Sequence, residues 1–505
     1  MGRYYRVAGL RSRVVETATP SGRETVAGRR FDVIVVGSGA SGGTLAARLS
    51  EDAGRRVLMV EAGRDFPAEA TAPPSFITGG ALTGERGAGA GPPAPEYDWG
   101  YESEPLAGGR RVELWRGRLV GGTSMTNGSV AVRGRPSDFD AWEQAGGPRW
   151  GWEAFRRAYE SVERELSVGT YPRDRWLPVQ HLLVDACQEA GFRYAEDLNA
   201  PDAWDGVVGP WPRSRREELR QGSLNTYVRQ ARPRANFTIL DRAHVDRVLF
   251  DGSRAVGVRA IVDGEPVRIE GDRVALCAGA YGSAPILLRS GIGPAAALRR
   301  HGIGPLVDLP VGAHLMEHPA LTVLAKVAPE YALIGWPALA AVARGNGYWC
   351  IPMPCSEREG IVMFNVCLAT VDGPPGGRIS LASADPVAPP RIHVGLEAAA
   401  DAGAFEPAWE ELREVFATSA FRRAGHRDPE GERPLRERLW RRIGVGYHAA
   451  GGCDLGAVVD ADLAVHGVER LHVADAGVFP RHVTNNPMLT CFAVGEIAAA
   501  RLAQS

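Results

Sequence analysis

The stretch from Phe31 to Gly63, FDVIVVGSGASGGTLAARLSEDAGRRVLMVEAG, constrains this chain more than any other. Phe31–Val36 is an apolar, β-branched run of buried-strand length. Gly37-Ser38-Gly39-Ala40-Ser41-Gly42 follows at once and opens a helical pattern over Thr44–Leu49. In such a unit Gly37 permits a tight turn and Gly39 lets a pyrophosphate approach the backbone. Gly42 lets the helix pack close to the strand. Ala40 and Ser41 fall at the helix N-terminus, where free N–H groups and the positive dipole end receive phosphate. A second apolar run, Val57–Val60, ends at Glu61-Ala62. Glu61 stands about twenty residues beyond the last glycine, where a carboxylate accepts hydrogen bonds from a ribose. It disfavours a 2′-phosphorylated cofactor. A lone GxGxxG is a weak signal, since ordinary glycine turns produce it. Strand, helix, second strand and acid in order predict a dinucleotide cradle, one that serves NAD and FAD alike.

At 505 residues the chain exceeds one ordinary core, so two domains or one large discontinuous one are expected. Hydrophobic content of 45% and charged content of 23% are those of a soluble globular protein. A net charge of −2 makes no case for nucleic acid or anionic membrane. No apolar run is long enough for a transmembrane helix. Residues 1–30 carry arginines but no apolar signal core, and read as an extension without a secretory peptide. The seven cysteines are scattered and include no CxxC pair. That pattern predicts reduced thiols, no zinc site and a cytoplasmic location.

Further along, Gly79–Pro95 reads as a Gly/Ala/Pro loop. It precedes Trp115-Arg116-Gly117-Arg118-Leu119-Val120-Gly121-Gly122-Thr123-Ser124-Met125-Thr126-Asn127-Gly128, whose paired glycines and small hydroxyl residues suit a backbone laid flat against a ligand. Trp142–Glu165 has helical spacing, and core packing accounts for its tryptophans. Residues 236–262 alternate like a β-meander with an Asp251-Gly252 turn. Arg273–Gly279 reads as a buried strand and Ala284–Leu288 as an apolar helix. Gly377–Ala382 and Arg391–Val394 read as strands and Glu406–Ser419 as a helix. Near the far end stand His448, in a glycine-rich loop, and Asn486, just before Pro487. Taken alone, such a histidine is more often structural and such an asparagine more often a turn or cap residue. Pro487–Leu502 reads as a helix with proline in its first turn.

From Phe31 on, the chain resembles the glucose–methanol–choline (GMC) flavoprotein oxidoreductases. Six colinear segments carry the resemblance: GSGASGG with Glu61; GRLVGGTSMTNG with Arg133-Gly134 and Asp138-Phe139-Asp140-Ala141-Trp142; GAYGSAPILLRSGIGP at Gly279–Pro294; Leu309-Pro310-Val311-Gly312 with Glu317-His318-Pro319; HAAGGCDLG at His448; and DAGVFPRHVTNNPMLT at Asp475.

The resemblance implies an α/β fold: a discontinuous Rossmann-like FAD-binding domain and a substrate domain whose antiparallel sheet roofs the flavin. It divides the chain into the extension 1–30, an FAD-binding part 31–320 (with some of the substrate domain inserted near 160–230), a substrate-binding part 321–440, and a return to the FAD domain over 441–505. It implies that Gly37, Gly39, Ala40, Ser41, Gly42, Glu61 and Ala62 hold the ADP half and that the backbone of Val245 meets the adenine. Gly122, Thr123, Asn127 and Gly128 would line the flavin and ribityl chain. Asp475 and Ala476 would approach the ribityl–pyrophosphate region, and Pro487 and Met488 the pyrimidine ring. The substrate pocket would draw on Tyr331–Cys355 and Met363–Cys367, with Trp336, Trp349 and Phe364 either lining it or packing in the core. His318 reads as part of a structural turn.

The implied activity is oxidation of a small-molecule alcohol to an aldehyde or ketone, with His448 as base and Asn486 holding the substrate oxygen. Oxygen or another carrier would reoxidise the flavin. Thr126 stands where some relatives carry a flavin-tethering histidine, so FAD is expected to be non-covalent. Two other readings stay open: a non-redox lyase of the same fold, like the hydroxynitrile lyases, and a mycofactocin-associated dehydrogenase.

Overall fold

The computed structural model describes residues 26–67, 95–217, 219–332, 337, 339–354, 360–369, 376–401 and 403–504. The predicted loop Gly79–Pro95, Trp336 and Cys355 therefore lie outside the described residues, apart from Pro95 itself.

Five short apolar strands form an all-parallel sheet in the order Leu471–Val473, Val274–Leu276, Val33–Val36, Val57–Val60, Phe237–Leu240. Val33–Val36, Val57–Val60, Val274–Leu276 and Leu471–Val473 are buried at every residue, as a sheet covered on both faces requires. The order reverses between Val33–Val36 and Val274–Leu276. The crevice beyond the carboxyl ends of such strands is where doubly wound sheets bind ligands. Gly37 turns there with φ +100°, and a Cβ on it would stand 2.4 Å from the carbonyl oxygen of Cys277. The helix Ala40–Leu49 starts at once from Gly39.

Two sequence readings shift here. Phe237–Leu240 pairs with Val57–Val60 in the parallel sheet and is not part of the meander. The meander proper is Ala243–Asp251, Arg254–Val262 and Glu265–Gly271, with Arg30–Phe31 added alongside the last strand. Its first turn is formed by Gly252 and Ser253, because Asp251 still pairs with Arg254. Gly252 supplies the positive φ, +59°, that a two-residue hairpin needs.

A seven-stranded sheet stands over the crevice in the order Ile443–Val445, Pro319–Lys326, Ile361–Leu368, Tyr348–Pro354, Ala341–Gly345, Val207–Pro210, Arg193–Tyr194. It is antiparallel except for the final pair. Its last two strands come from the 160–230 segment, so distant stretches of sequence share one roof.

The expected long helix over 142–165 is two helices, Asp140–Gly146 and Trp152–Glu165. Gly147, at φ +79°, followed by Pro148 breaks the run. Trp142, Trp150, Phe155 and Tyr159 are fully buried around the break and form core. The helix Met488–Leu502 lies on Ala40–Leu49. Gly495 makes the approach possible, since a Cβ there would lie 2.7 Å from the carbonyl oxygen of Ser41. Ser41 Oγ donates to the carbonyl of Cys491 at 2.7 Å, and Arg48 pairs with Glu496 at 2.9 Å.

Candidate active site

One cavity of about 610 Å³ runs from the glycine loop to His448 and Asn486. At its loop end Gly37, Gly39, Ala40, Ser41, Glu61 and Ala62 line it. A Cβ on Gly39 would meet no protein atom within 4 Å, so the backbone there is bare toward the cavity. Gly42 does not line it. A Cβ at Gly42 would fall 2.1 Å from the carbonyl oxygen of Gly37, so this glycine serves helix–strand packing. Glu61 is buried, and its oxygens already accept from Ser38 N at 3.1 Å, Ser38 Oγ at 2.6 Å and Gly63 N at 2.8 Å. Burial raises its pKa against those hydrogen bonds. The acid thus braces the glycine loop as well as facing the cavity. Val245 lines the same end, beside a register shift at Asp246 that Arg289 anchors through its Nε.

The middle of the cavity is lined by Gly122, Thr123, Asn127, Gly128, Asp475 and Ala476. Gly122 follows an αL glycine, Gly121, into a short 3₁₀ turn, and a Cβ on Gly122 would lie 3.0 Å from Gly39 Cα. The second glycine motif therefore abuts the first. Asp475 accepts from Gly279 N at 2.8 Å, Ser283 Oγ at 2.6 Å and Gly477 N at 2.7 Å, which ties two sequence motifs together. Asn127 accepts from Ser129 N and from Arg220, and its amide reaches Met488 Sδ at 3.0 Å. Pro487 and Met488 also line the cavity, so the positive end of the helix Met488–Leu502 faces it. A long groove with bare glycine backbone at one end and a helix N-terminus at each of two points fits a dinucleotide that carries a flat ring system.

At the far end Nε2 of His448 lies 2.9 Å from Nδ2 of Asn486. Burial, then His482 and Arg116, hold the His448 pKa well below the ordinary histidine value, so the ring is neutral and can accept a proton. Tyr447 precedes it at φ +63°, a costly conformation for a residue with a side chain. Stacking of Tyr447 on Trp115, centroids 4.5 Å apart, holds it there. His482 Nε2 contacts the His448 carbonyl at 2.5 Å.

Sequence reasoning missed two neighbours. His318, assigned to a turn, is fully buried with its Nδ1 3.0 Å from Nδ1 of His448. Glu317 accepts from both backbone amides, His318 N at 3.0 Å and His448 N at 2.5 Å. Burial pushes the Glu317 carboxyl up to about 7, while Arg116 pulls it down. The clue available in sequence was Glu-His before a proline in a motif already tied to the site.

The roof sheet closes this end. Trp349, Ile351 and Met353 alternate along one strand and all line the cavity, with Trp211, Leu339, Asn365 and Cys367 beside them. Phe364 does not: it is buried among Phe416 and Phe421 and belongs to the core. Among the described residues no cluster suited to a metal ion is found.

A profile of the GMC oxidoreductases matches residues 31–320 and 374–495. The chain is 32% identical to an oxygen-dependent choline dehydrogenase of Pseudomonas putida GB-1, over 93% of each chain. It is 30% identical to one of Xanthomonas campestris pv. campestris B100, over 94% of this chain and 96% of that one. Among solved structures it is similar to pyridoxine 4-oxidase from Mesorbium loti, with a TM-score of 0.83, 25% identity and coverage of 94% and 100%. In fold it also matches a fungal aryl-alcohol oxidase, with a TM-score of 0.73, 21% identity and coverage of 94% and 99%. The chain therefore belongs to the GMC oxidoreductase family.

Proposed function

We propose that this chain oxidises an alcohol with an apolar body to an aldehyde or ketone, using non-covalently held FAD. The observation that carries the reading is the His448–Asn486 pair, 2.9 Å apart, in the wall of the same cavity that the GxGxxG loop opens. FAD, when bound, would supply the acceptor for the hydride, with both its electrons, that leaves the alcohol carbon. His448 Nε2 takes the hydroxyl proton, so the O–H bond breaks as an N–H bond forms. Asn486 donates from Nδ2 to the substrate oxygen as negative charge develops on it, a stabilisation that is largest in the transition state. Burial keeps His448 neutral and able to accept.

The residues facing the cavity support a division of labour. Gly37, Gly39, Ala40, Ser41, Glu61, Ala62 and the Val245 backbone would hold the ADP half. Gly122, Thr123, Asn127, Gly128, Asp475, Ala476, Pro487 and Met488 would hold the flavin half. Thr126 also lines the cavity, and a threonine hydroxyl offers no imidazole for a flavin tether. In our reading residues 31–320 with 441–505 form the FAD-binding part and 321–440 the substrate part. The described cysteines are free, and no helix among the described residues is long and apolar enough to cross a membrane. We place the enzyme in the cytoplasm, where its thiols stay reduced.

The apolar wall of Trp349, Ile351, Met353, Trp211 and Leu339 favours an aryl or alkyl alcohol. Anaerobic mixing of the holoenzyme with an alcohol panel that includes benzyl-type alcohols and choline tests this. Bleaching of oxidised flavin by an apolar alcohol is expected. Cyanide release from a cyanohydrin without bleaching would replace this reading with a lyase. Rechallenge with oxygen then tells an oxidase from a dehydrogenase that uses another carrier.

A further inference from the structure

Two further histidines touch His448: His482 meets its carbonyl, and His318 meets its ring, placed there by the register of the roof sheet. Pro319 pairs with Val445 in antiparallel fashion, so His318 and His448 sit just past the ends of neighbouring strands. The carbonyl of His318 accepts from Gly446 N at 2.7 Å, and Glu317 clips both histidine backbones through one carboxylate oxygen. The ring of Trp349 stands edge-on to His318 at 5.0 Å, and His482 covers it at 4.0 Å. A Cβ on Gly446 would lie 2.7 Å from His448 Nδ1, so the missing side chain is what leaves room for the two rings to meet.

Tautomer logic follows from the contacts. Asn486 Nδ2 is a donor, so His448 Nε2 accepts. A neutral imidazole then carries its proton on Nδ1. That Nδ1 faces His318 Nδ1 at 3.0 Å, and His318 must therefore accept there and keep its own proton on Nε2.

We propose that His318 is the positioning residue that fixes the tautomer of the base: its Nδ1 receives the His448 Nδ1–H and so keeps His448 Nε2 bare toward the substrate. The role rests on the reading of His448 as base. When the alcohol proton arrives at Nε2, the His448 Nδ1–H donates as part of an imidazolium. The bond to His318 becomes charge-assisted and about twice as strong, a gain made only once proton transfer is under way.

The test uses FAD-loaded enzyme labelled with ¹⁵N-histidine. The His448 signals are identified by their loss in His448→Gln. The resting enzyme is expected to show His448 protonated at Nδ1 and bare at Nε2. His318→Phe should mix or reverse that pattern and lower the rate of flavin reduction about tenfold or more, with KM little changed. His318→Asn, which can place an amide oxygen where Nδ1 was, should restore both the tautomer and most of the rate. Gly446→Ala, which keeps the His318 imidazole but crowds both rings at their contact, should behave like His318→Phe. If His318→Phe does not fold, the wild-type tautomer and Gly446→Ala still decide. An Nε2-protonated His448 in the resting enzyme, or equal losses in the Phe and Asn variants, overturns the proposal. Undiminished flavin reduction in His448→Gln would instead overturn the reading of the base itself.

Discussion

The amide nitrogen of Asn486 lies 2.9 Å from Nε2 of His448, within hydrogen-bond distance at the end of the cavity away from the glycine loop. In the reading proposed above, the two groups flank the substrate oxygen: the amide, with two hydrogens, has one left to donate to it, and His448 Nε2 takes its proton. Asn486→Ala is expected to slow flavin reduction about 10- to 100-fold while the FAD content stays the same. Asn486→Asp, similar in shape but unable to donate when ionised, should lose as much. Stopped-flow absorbance checks both, and unchanged rates would remove Asn486 from the chemistry.

The base proposed for His448 requires a neutral ring. Its pKa is depressed by burial, with His482 and Arg116 adding to the effect. Activity should therefore survive as pH falls through the ordinary histidine range near 6.5 and fail only below it. His448→Gln should lower the rate of flavin reduction about 10²- to 10⁴-fold and leave no such acid limb. A wild-type limb centred at or above the ordinary histidine value would contradict the buried, neutral ring.

Gly39 and Gly42 belong to one motif but have separable consequences. Gly39→Ala places a methyl in the open cavity, so purified protein should carry less FAD while apoprotein stability is unchanged. Gly42→Ala forces a methyl onto the Gly37 carbonyl and should cost about 3 kcal/mol of stability. Flavin-to-protein absorbance ratios and denaturant midpoints separate the two.

If Thr126 marks a non-covalent site, acid precipitation should leave all the yellow colour in the supernatant. Flavin that stays with the pellet would show a covalent bond elsewhere.

His472 is buried in the central sheet, and burial lowers its pKa to about 4. Its folded value lies below the unfolded one near 6.5, so the unfolded chain takes the proton first. Stability from this residue is full above about 6.5 and is lost as pH falls toward 4, by about 3 kcal/mol in all. Denaturant midpoints should fall over that window, and His472→Leu should flatten the fall.

Much of this site was legible because its parts obey local rules. Val57–Val60 and Glu61 stand where a βαβ count places them, and every residue expected at the cofactor except Gly42 lines the cavity. What stayed hidden depended on register between distant strands. His318 looks like a turn residue until the pairing of Pro319 with Val445 brings it to His448. Phe364 could be read as pocket or core until strand alternation turns it into the core, opposite Asn365. Phe237–Leu240 has the alternation of a hairpin strand, yet its partner Val57–Val60 lies far upstream. Period and composition carry no information about such partners.

The contact of Ser41 with Cys491 joins helices about 450 positions apart. On a ribosome that emits about 5–20 residues per second, the glycine loop leaves the tunnel tens of seconds before the segment that bears His448 and Asn486. A nascent chain can thus display the phosphate cradle but no proton acceptor. In the proposed reading, the groups at the reacting end are the last to be made, and they arrive with the helix that docks on Ala40–Leu49.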